Sequence, residues 1–343
     1  MKKLNPLKQG PWKLDDLKNI APIGLNVFSC FHCAGGSTMG YKLAGFNVLG
    51  GVEIDPEMMA IYRLNHHPQH SYLMGVQEFK NIPDTQLPSK LFELDILDGS
   101  PPCSSFSMSG AREKKWGKAS KFREGQAVQH LDDLFFDFID VAKKLRPKVV
   151  VAENVKGLLL GNAKGYVKQI FSKFSEAGYN TQLFLLNASR MGVPQKRERV
   201  FFIANRIGEK INLHFSEKII SIGQACIGAS TNIYDDISKY AIGNEWKKLK
   251  SGEQSKKYFS LVKPDKNKPI PTITAKISCP SAASITHWLE CRKLSSGELC
   301  RAQTFPDDFN FLNSHAGYIC GMSVPPFMMQ RVATEIARQF FNL

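Results

Sequence analysis

Short apolar blocks alternate with stretches of helical spacing through most of the chain. Residues 24–30 and Asn47–Glu53 read as strands. Each leads into a helical pattern, the first over 40–44 behind Gly35-Gly36 and the second over 56–64 behind Pro56. The run 91–97, broken by Glu93 and Asp95, predicts a buried strand ending in the turn Gly99-Ser100-Pro101-Pro102-Cys103. Leu131, Leu134, Phe135, Phe138, Ala142 and Leu145 then fall on one helical face, and Pro147 stops that helix. Residues 148–152 form a β-branched strand that runs into Glu153-Asn154-Val155. Val167, Ile170, Phe171 and Phe174 mark another helix, and 181–186 and 200–204 two more strands. This alternation predicts an α/β fold with a doubly wound, mostly parallel sheet and helices on both faces.

The pattern breaks at about Ile207. Up to Leu289 periodicity is weak, lysine and serine rise, and short β-like pieces such as 270–277 are separated by proline and glycine. The expected division is an extension over 1–22, a main domain over 23–206, a smaller inserted domain over 207–290, and a return to the main domain over 291–343. The chain closes on an amphipathic helix opened by Pro325-Pro326, with Met329, Val332, Ile336 and Phe340 on one face. Between the Pro-Pro-Cys turn and the next helix lies a long, polar, basic stretch, 108–129. A loop of that length inside a compact domain is usually functional.

Charge sharpens the picture. The 343 residues carry 45 Lys and Arg against 31 Asp and Glu, a net +14, and the lysines crowd 112–123 and 247–268. Such patchiness points to a polyanionic partner, nucleic acid first, over general solubility. No apolar run reaches the roughly 18 residues of a membrane span, and the amino terminus lacks a signal-peptide core. A cytoplasmic protein with no membrane partner is expected. The eight cysteines show no pairing framework, which suits a reducing compartment. Cys30-Phe31-His32-Cys33 has the spacing of half a zinc site without a second close pair, so no metal is expected.

Two places carry candidate chemistry. Prolines hold Cys103 at the carboxyl end of a strand, where open α/β sheets place their reacting groups. It is a candidate nucleophile, or else a buried structural cysteine. Between the first strand and first helix, small residues ending in Gly35-Gly36 let backbone amides approach a ligand, and Glu53 closes the second strand. An acid at that place suits the ribose hydroxyls of an adenosine-containing cofactor. The plainer alternative is a tight turn beside an exposed glutamate.

Taken in order, these stretches resemble the DNA cytosine-5 methyltransferases of bacteria and their phages. The likeness rests on Phe31 through Gly36 with Ala44-Gly45-Phe46, on Val52-Glu53-Ile54-Asp55, and on Gly99 through Ser107. It continues in Leu134-Phe135-Phe136-Asp137, Glu153-Asn154-Val155 and Gln195-Lys196-Arg197-Glu198-Arg199. Arg292-Lys293-Leu294 with Glu298, Arg301-Ala302-Gln303 and Phe305-Pro306 follows, and Gly321 through Pro326 closes the series. Only 1–22 and 207–290 fall outside it. The chain departs from the family's usual residues at Ser29 (Asp), Cys33 (Gly), Ser104 (Gln) and Met322 (Asn). Gly75-Val76-Gln77 also stands where an aspartate usually bonds the adenine amino group.

The resemblance implies a Rossmann-like fold using S-adenosyl-L-methionine and releasing S-adenosyl-L-homocysteine. It assigns cofactor contacts to Phe31, Gly35, Gly36, Glu53, Ile54, Pro102, Leu134 and Ser323. Catalysis falls to Cys103, Glu153 and Arg199 with Arg197, and DNA contacts to Ser107, Ser109, Arg112, Lys114, Lys115, Gln195 and Thr272. Gln195 and Arg197 could instead organise the site or form a strand-end salt bridge. The partner implied is double-stranded DNA, bound by a monomer, with a cognate restriction endonuclease left open. The insert 207–290 would read the target, and the residues that read base edges are not identified.

The chemistry explains the residue types. Cytosine C5 is a poor nucleophile until a thiolate adds at C6 and makes C5 enamine-like. An acid such as Glu153 would donate a proton or hydrogen bond at N3, and the Arg199 fork suits the base's O2. The base that removes the C5 proton is not identified, and ordered water could serve. The target must leave the helix stack to be reached. Arg112, Lys114, Lys115, Lys118, Lys121 and Arg123 would close over it and contact phosphates. Three rivals stay open: an RNA cytosine-5 methyltransferase, a thymidylate-synthase-like enzyme on free nucleotides, and a non-catalytic DNA-binding descendant.

Overall fold

The computed structural model describes residues 4–102, 133–160, 163–208, 210–232 and 234–343. Eight strands come first: β1 (Asn26–Cys30), β2 (Asn47–Glu53), β3 (His70–Leu73), β4 (Ile96–Gly99), β5 (Val149–Val155), β6 (Asn180–Asn187), β7 (Gln195–Lys196) and β8 (Glu198–Asn205). All but β7 join a seven-stranded sheet in the order β3-β2-β1-β4-β5-β8-β6. β8 runs antiparallel to both β5 and β6, whereas β3 through β5 are mutually parallel. The strand order reverses between β1 and β4, which opens a crevice beyond their carboxyl ends.

Alternate residues of each strand feed two separate cores, as the pleat requires. Val27, Ile96, Val149 and Phe201 face one layer, with Met39 and Leu43 of α1 (Gly36–Leu43) and Met329, Val332 and Ile336 of α10 (Pro326–Phe340). Phe28, Leu97, Val150 and Phe202 face the other, where α3 (Val76–Phe79), α4 (Leu134–Leu145) and α5 (Ala163–Glu176) bring Phe79, Phe135, Phe138 and Phe174. α2 (Pro56–His66) begins at the N-cap Asp55, whose carboxylate accepts from Glu57 N and Met58 N. α1 and α10 approach so closely that a Cβ on Gly40 would meet Met329 Cβ at 2.5 Å.

Two sequence expectations shift. The run at 91–97 divides into a short 3₁₀ turn, Ser89–Phe92, and the strand β4 starting at Ile96. Pro88 caps that turn, and the Asp95 carboxylate is spent on Asn26 N at 2.8 Å. β3 was not visible because it is a four-residue edge strand whose side chains are half-exposed, so it needs no apolar block.

The inserted region is not one body. α6 (Ile222–Ala225), α7 (Ala241–Trp246), β9 (Glu253–Gln254), β10 (Val262–Lys263) and β11 (Ile270–Pro271) are all short. Ile237, Ile242, Trp246, Leu249 and Leu261 make a small core of their own. Ile211, Leu213, Ile222, Ile270, Ile273 and Ile277 instead join the main core. β11 also pairs in parallel with β7, so the ends of the insert are stitched to the main domain. α8 (Ser296–Gln303) and α9 (Ala316–Met322) then lead to α10. The amino-terminal segment is anchored by Trp12, a buried ring whose Nε1 donates to Thr304 O at 3.0 Å. Among the described residues no helix is long and apolar enough to cross a membrane.

Candidate active site

The turn after β1 is shaped by three left-handed residues, Phe31 (φ 55°), Cys33 (φ 50°) and Gly35 (φ 93°). A side chain at Gly35 would collide with the His66 ring, and one at Gly36 with the Val324 carbonyl of the α9–α10 turn. Glycine is therefore required by space at both places. The amino end of α1 has no side-chain cap, leaving its first N–H groups to a ligand. Glu53, buried at the end of β2, accepts from Cys33 N (2.9 Å), Ile54 N (2.9 Å) and Asp55 N (3.0 Å). Burial pushes its pKa up, Asp55 adds to that, and the three N–H donors work against it. Two carboxylate oxygens carry about four lone-pair sites, so a further hydroxyl donor can be received.

Phe31, Ile54 and Pro102 are half-buried along the same sheet edge, with Ser323 buried beside them against Gly36. Uncapped backbone donors, a glycine cradle and a ribose-type acid fit an adenosine cofactor carrying its own carboxylate. Leu134 is less suited: only 1 % exposed, it packs in the core at the start of α4. Cys33 has its thiol 3.5 Å from Met58 Sδ, and burial pushes its pKa up to about 12.

Ser29, where the resemblance leads one to expect aspartate, has an acid facing it from the neighbouring strand. Its Oγ donates to Asp98 Oδ2 at 2.7 Å. The same carboxylate accepts from Ser37 Oγ (2.8 Å) and the Tyr41 hydroxyl (3.3 Å) on α1. Burial raises the Asp98 pKa to about 6, the hydroxyl donors oppose that, and the charge of Glu153 adds to it. Sequence reasoning missed Asp98, although an acid inside a fully buried strand was a signal.

On the other side of the crevice, β4 ends at Gly99, where a Cβ would meet Phe138 Cε2 of α4 at 2.5 Å. Asn154 ties the following turn to β5. Its Nδ2 donates to Pro101 O at 3.1 Å, and its Oδ1 accepts from Val155 N at 2.8 Å. Glu153 and Arg199 come together across the antiparallel strands β5 and β8, with Arg199 Nε 2.9 Å from Glu153 Oε1. Both are largely buried; burial lowers the Arg199 pKa and the adjoining carboxylate resists the shift. Cys103, Ser107, Ser109, Arg112, Lys114 and Lys115 lie outside the described residues, as does the whole of 108–129.

The Gln-Lys-Arg-Glu-Arg segment divides its side chains. Gln195 is fully buried, donating to Gln303 Oε1 (2.7 Å) and accepting from Ile273 N (2.9 Å). Arg197 does not join Arg199 at the crevice. Its guanidinium, 1 % exposed, donates to Ile273 O (3.0 Å) and Gly321 O (3.1 Å). Both residues fasten the 270–277 element and the α9 end to the sheet. Gln303 completes this tie by donating to Ser323 O at 2.8 Å. Thr272 is half-buried, its hydroxyl donating to Lys196 O at 3.0 Å.

A doubly wound sheet with one reversed strand, a cofactor cradle at its switch point and an acid–arginine pair across the crevice defines a Rossmann-like methyltransferase. The chain matches the model of C-5 cytosine-specific DNA methylases over residues 25–240 and 229–338, and it belongs to that family. It is 28 % identical over 351 residues to the type II methyltransferase M1.HphI of Haemophilus parahaemolyticus, covering 93 % of this chain and 88 % of that one. With M.DdeI of Desulfomicrobium norvegicum it shares 26 % over 393 residues, 93 % and 90 % of the two chains. The fold is also that of a candidate DNA modification methyltransferase encoded within an E. coli prophage. That likeness has a TM-score of 0.70 at 19 % identity, over 93 % of this chain and 100 % of that one. The protein is thus an S-adenosylmethionine-dependent DNA methyltransferase that transfers a methyl group to cytosine C5.

Proposed function

We propose that the chain methylates cytosine within a short sequence of duplex DNA through a covalent adduct between Cys103 and the base's C6. The observation that best supports this is the tie from Asn154 to Pro101, which fixes the turn two residues before Cys103 beside the Glu153–Arg199 pair. Phe31, Gly35, Gly36, Glu53, Ile54, Pro102 and Ser323 would hold the cofactor, which when bound supplies an electrophilic methyl group. The Cys103 thiolate adds to C6, and Glu153 places a proton or hydrogen bond on N3 to offset the charge that develops on the ring. Arg199 steadies both Glu153 and the base's O2. After methylation, loss of the C5 proton expels the thiolate and restores the aromatic ring. The basic stretch 108–129 and the region 207–290 contact the duplex, and one chain acts alone as a cytoplasmic DNA (cytosine-5-)-methyltransferase. Kinship with type II methyltransferases supports a cognate restriction endonuclease as its companion.

Duplex DNA carrying 5-fluorocytosine tests the reading. Fluorine at C5 cannot depart as a proton does, so a methylated adduct stays bonded to the protein through denaturing electrophoresis. The expected result is a covalent band with the intact chain and none with Cys103→Ser. A band that survives that substitution, or one formed only on fluorinated RNA, overturns it.

A further inference from the structure

Asp98 joins the two halves of the site. It is 2 % exposed on β4, and its partners are three hydroxyls rather than a cation. Ser29 lies directly across from it on β1, in register. Ser37 and Tyr41 stand one turn apart on α1, whose first residue is Gly36 of the cofactor cradle. One residue after Asp98, the chain enters the turn that Asn154 fixes before Cys103. Burying a carboxylate without a cation costs stability, and here the cost shows as a pKa pushed up to about 6. A neutral group would make a cheaper core at this point. A charge kept there is better explained by what it holds in place, because three donors converge on one acceptor.

We propose that Asp98 is a positioning residue for methyl transfer: its carboxylate fastens the amino end of α1 to β4, setting the Gly35-Gly36 turn against the Pro101-Pro102 turn. The inference deepens the reading in which Cys103 is the nucleophile, and its cofactor-binding arm holds without that reading. The carboxylate is needed at this junction but not on this strand. Because Ser29 and Asp98 face each other, exchanging them keeps the acid, the hydroxyl and the volume.

The test compares Asp98→Asn with the exchange Ser29→Asp plus Asp98→Ser. Four readouts are taken: S-adenosylhomocysteine affinity by calorimetry without DNA, single-turnover methylation at saturating cofactor, DNA affinity by anisotropy, and thermal unfolding. Asp98→Asn is expected to weaken S-adenosylhomocysteine binding about tenfold, the equivalent of one lost charge-assisted hydrogen bond. It should slow saturated turnover by about tenfold more through misplaced reactants. DNA affinity should stay within about twofold, and the exchange should regain both losses to within about threefold. A folded Asp98→Asn protein with unchanged affinity and rate overturns the proposal. So does an exchange variant that folds without regaining either, or that fails to fold, because the acid is then needed by β4 alone. If Asp98→Asn does not fold, the exchange decides by the same criteria. Cys103→Ser keeps the two readings apart, since it should abolish methylation while leaving S-adenosylhomocysteine affinity intact.

Discussion

Asn154 offers the sharpest test of how the scaffold serves the nucleophile. Its amide is buried between β5 and the turn after β4, donating to Pro101 O at 3.1 Å and accepting from Val155 N at 2.8 Å. Asn154→Ala removes these two bonds, leaving the buried Pro101 carbonyl and the half-buried Val155 N–H without them. Each neutral bond is worth about 1 kcal/mol net, and stranded groups raise the total to about 3 kcal/mol. Under the proposed mechanism the effect on rate should be larger than stability alone suggests, because the freed Pro101 lies two residues before Cys103. A misplacement of about 1 Å at a reacting group costs about a hundredfold. Asn154→Asp separates the two effects: it keeps the acceptor for Val155 N but sets an oxygen against Pro101 O. Single-turnover methylation at saturating cofactor, beside urea unfolding, gives the answer. The expected outcome is a rate lowered about a hundredfold in both variants, with cofactor affinity changed by less than about threefold. A folded Asn154→Ala protein that methylates within about threefold of the unaltered chain refutes the reasoning.

The remaining prediction contrasts the two arginines of one motif. Arg197→Met strips two buried carbonyls of a guanidinium and should cost about 3 kcal/mol in urea unfolding, with methylation per folded molecule little changed. Arg199→Lys loses the Nε–H that meets Glu153, so methylation should fall at least about tenfold while thermal unfolding moves by only a few degrees. Equal stability losses in the two variants would contradict their separate placement.

The alternation of apolar blocks with helical spacing carried the doubly wound sheet, since a strand buried on both faces must read as an apolar run and did so for β1, β4, β5 and β8. β3 escaped because an edge strand is under no such demand. Glu53 and the glycine pair were legible through their spacing, and Glu153 and Arg199 through the family resemblance; the structure sets Glu53 against the turn after β1 and pairs Glu153 with Arg199. Arg197 and Gln195 show the limit of that kind of reading. A motif says which residues travel together, not which way a side chain turns: Arg197, at the break between β7 and β8, turns into the core, while Arg199, two residues on in β8, meets Glu153 at the crevice. Asp98 showed in the sequence only as an acid inside a buried strand, and Asn154 only as a member of its motif. Their work lies in bonds to residues distant in the chain, Ser37 and Pro101, and nothing local in the sequence names those partners.

The central claim is that this chain methylates cytosine at C5 through Cys103. Base-resolution mapping of 5-methylcytosine in DNA from cells expressing the chain, beside a Cys103→Ser control, tests it most directly. Methylation confined to one short sequence and lost in the control is the predicted result. Unmodified DNA from cells holding folded protein that binds S-adenosylhomocysteine, or methylation that persists in the control, would contradict the account.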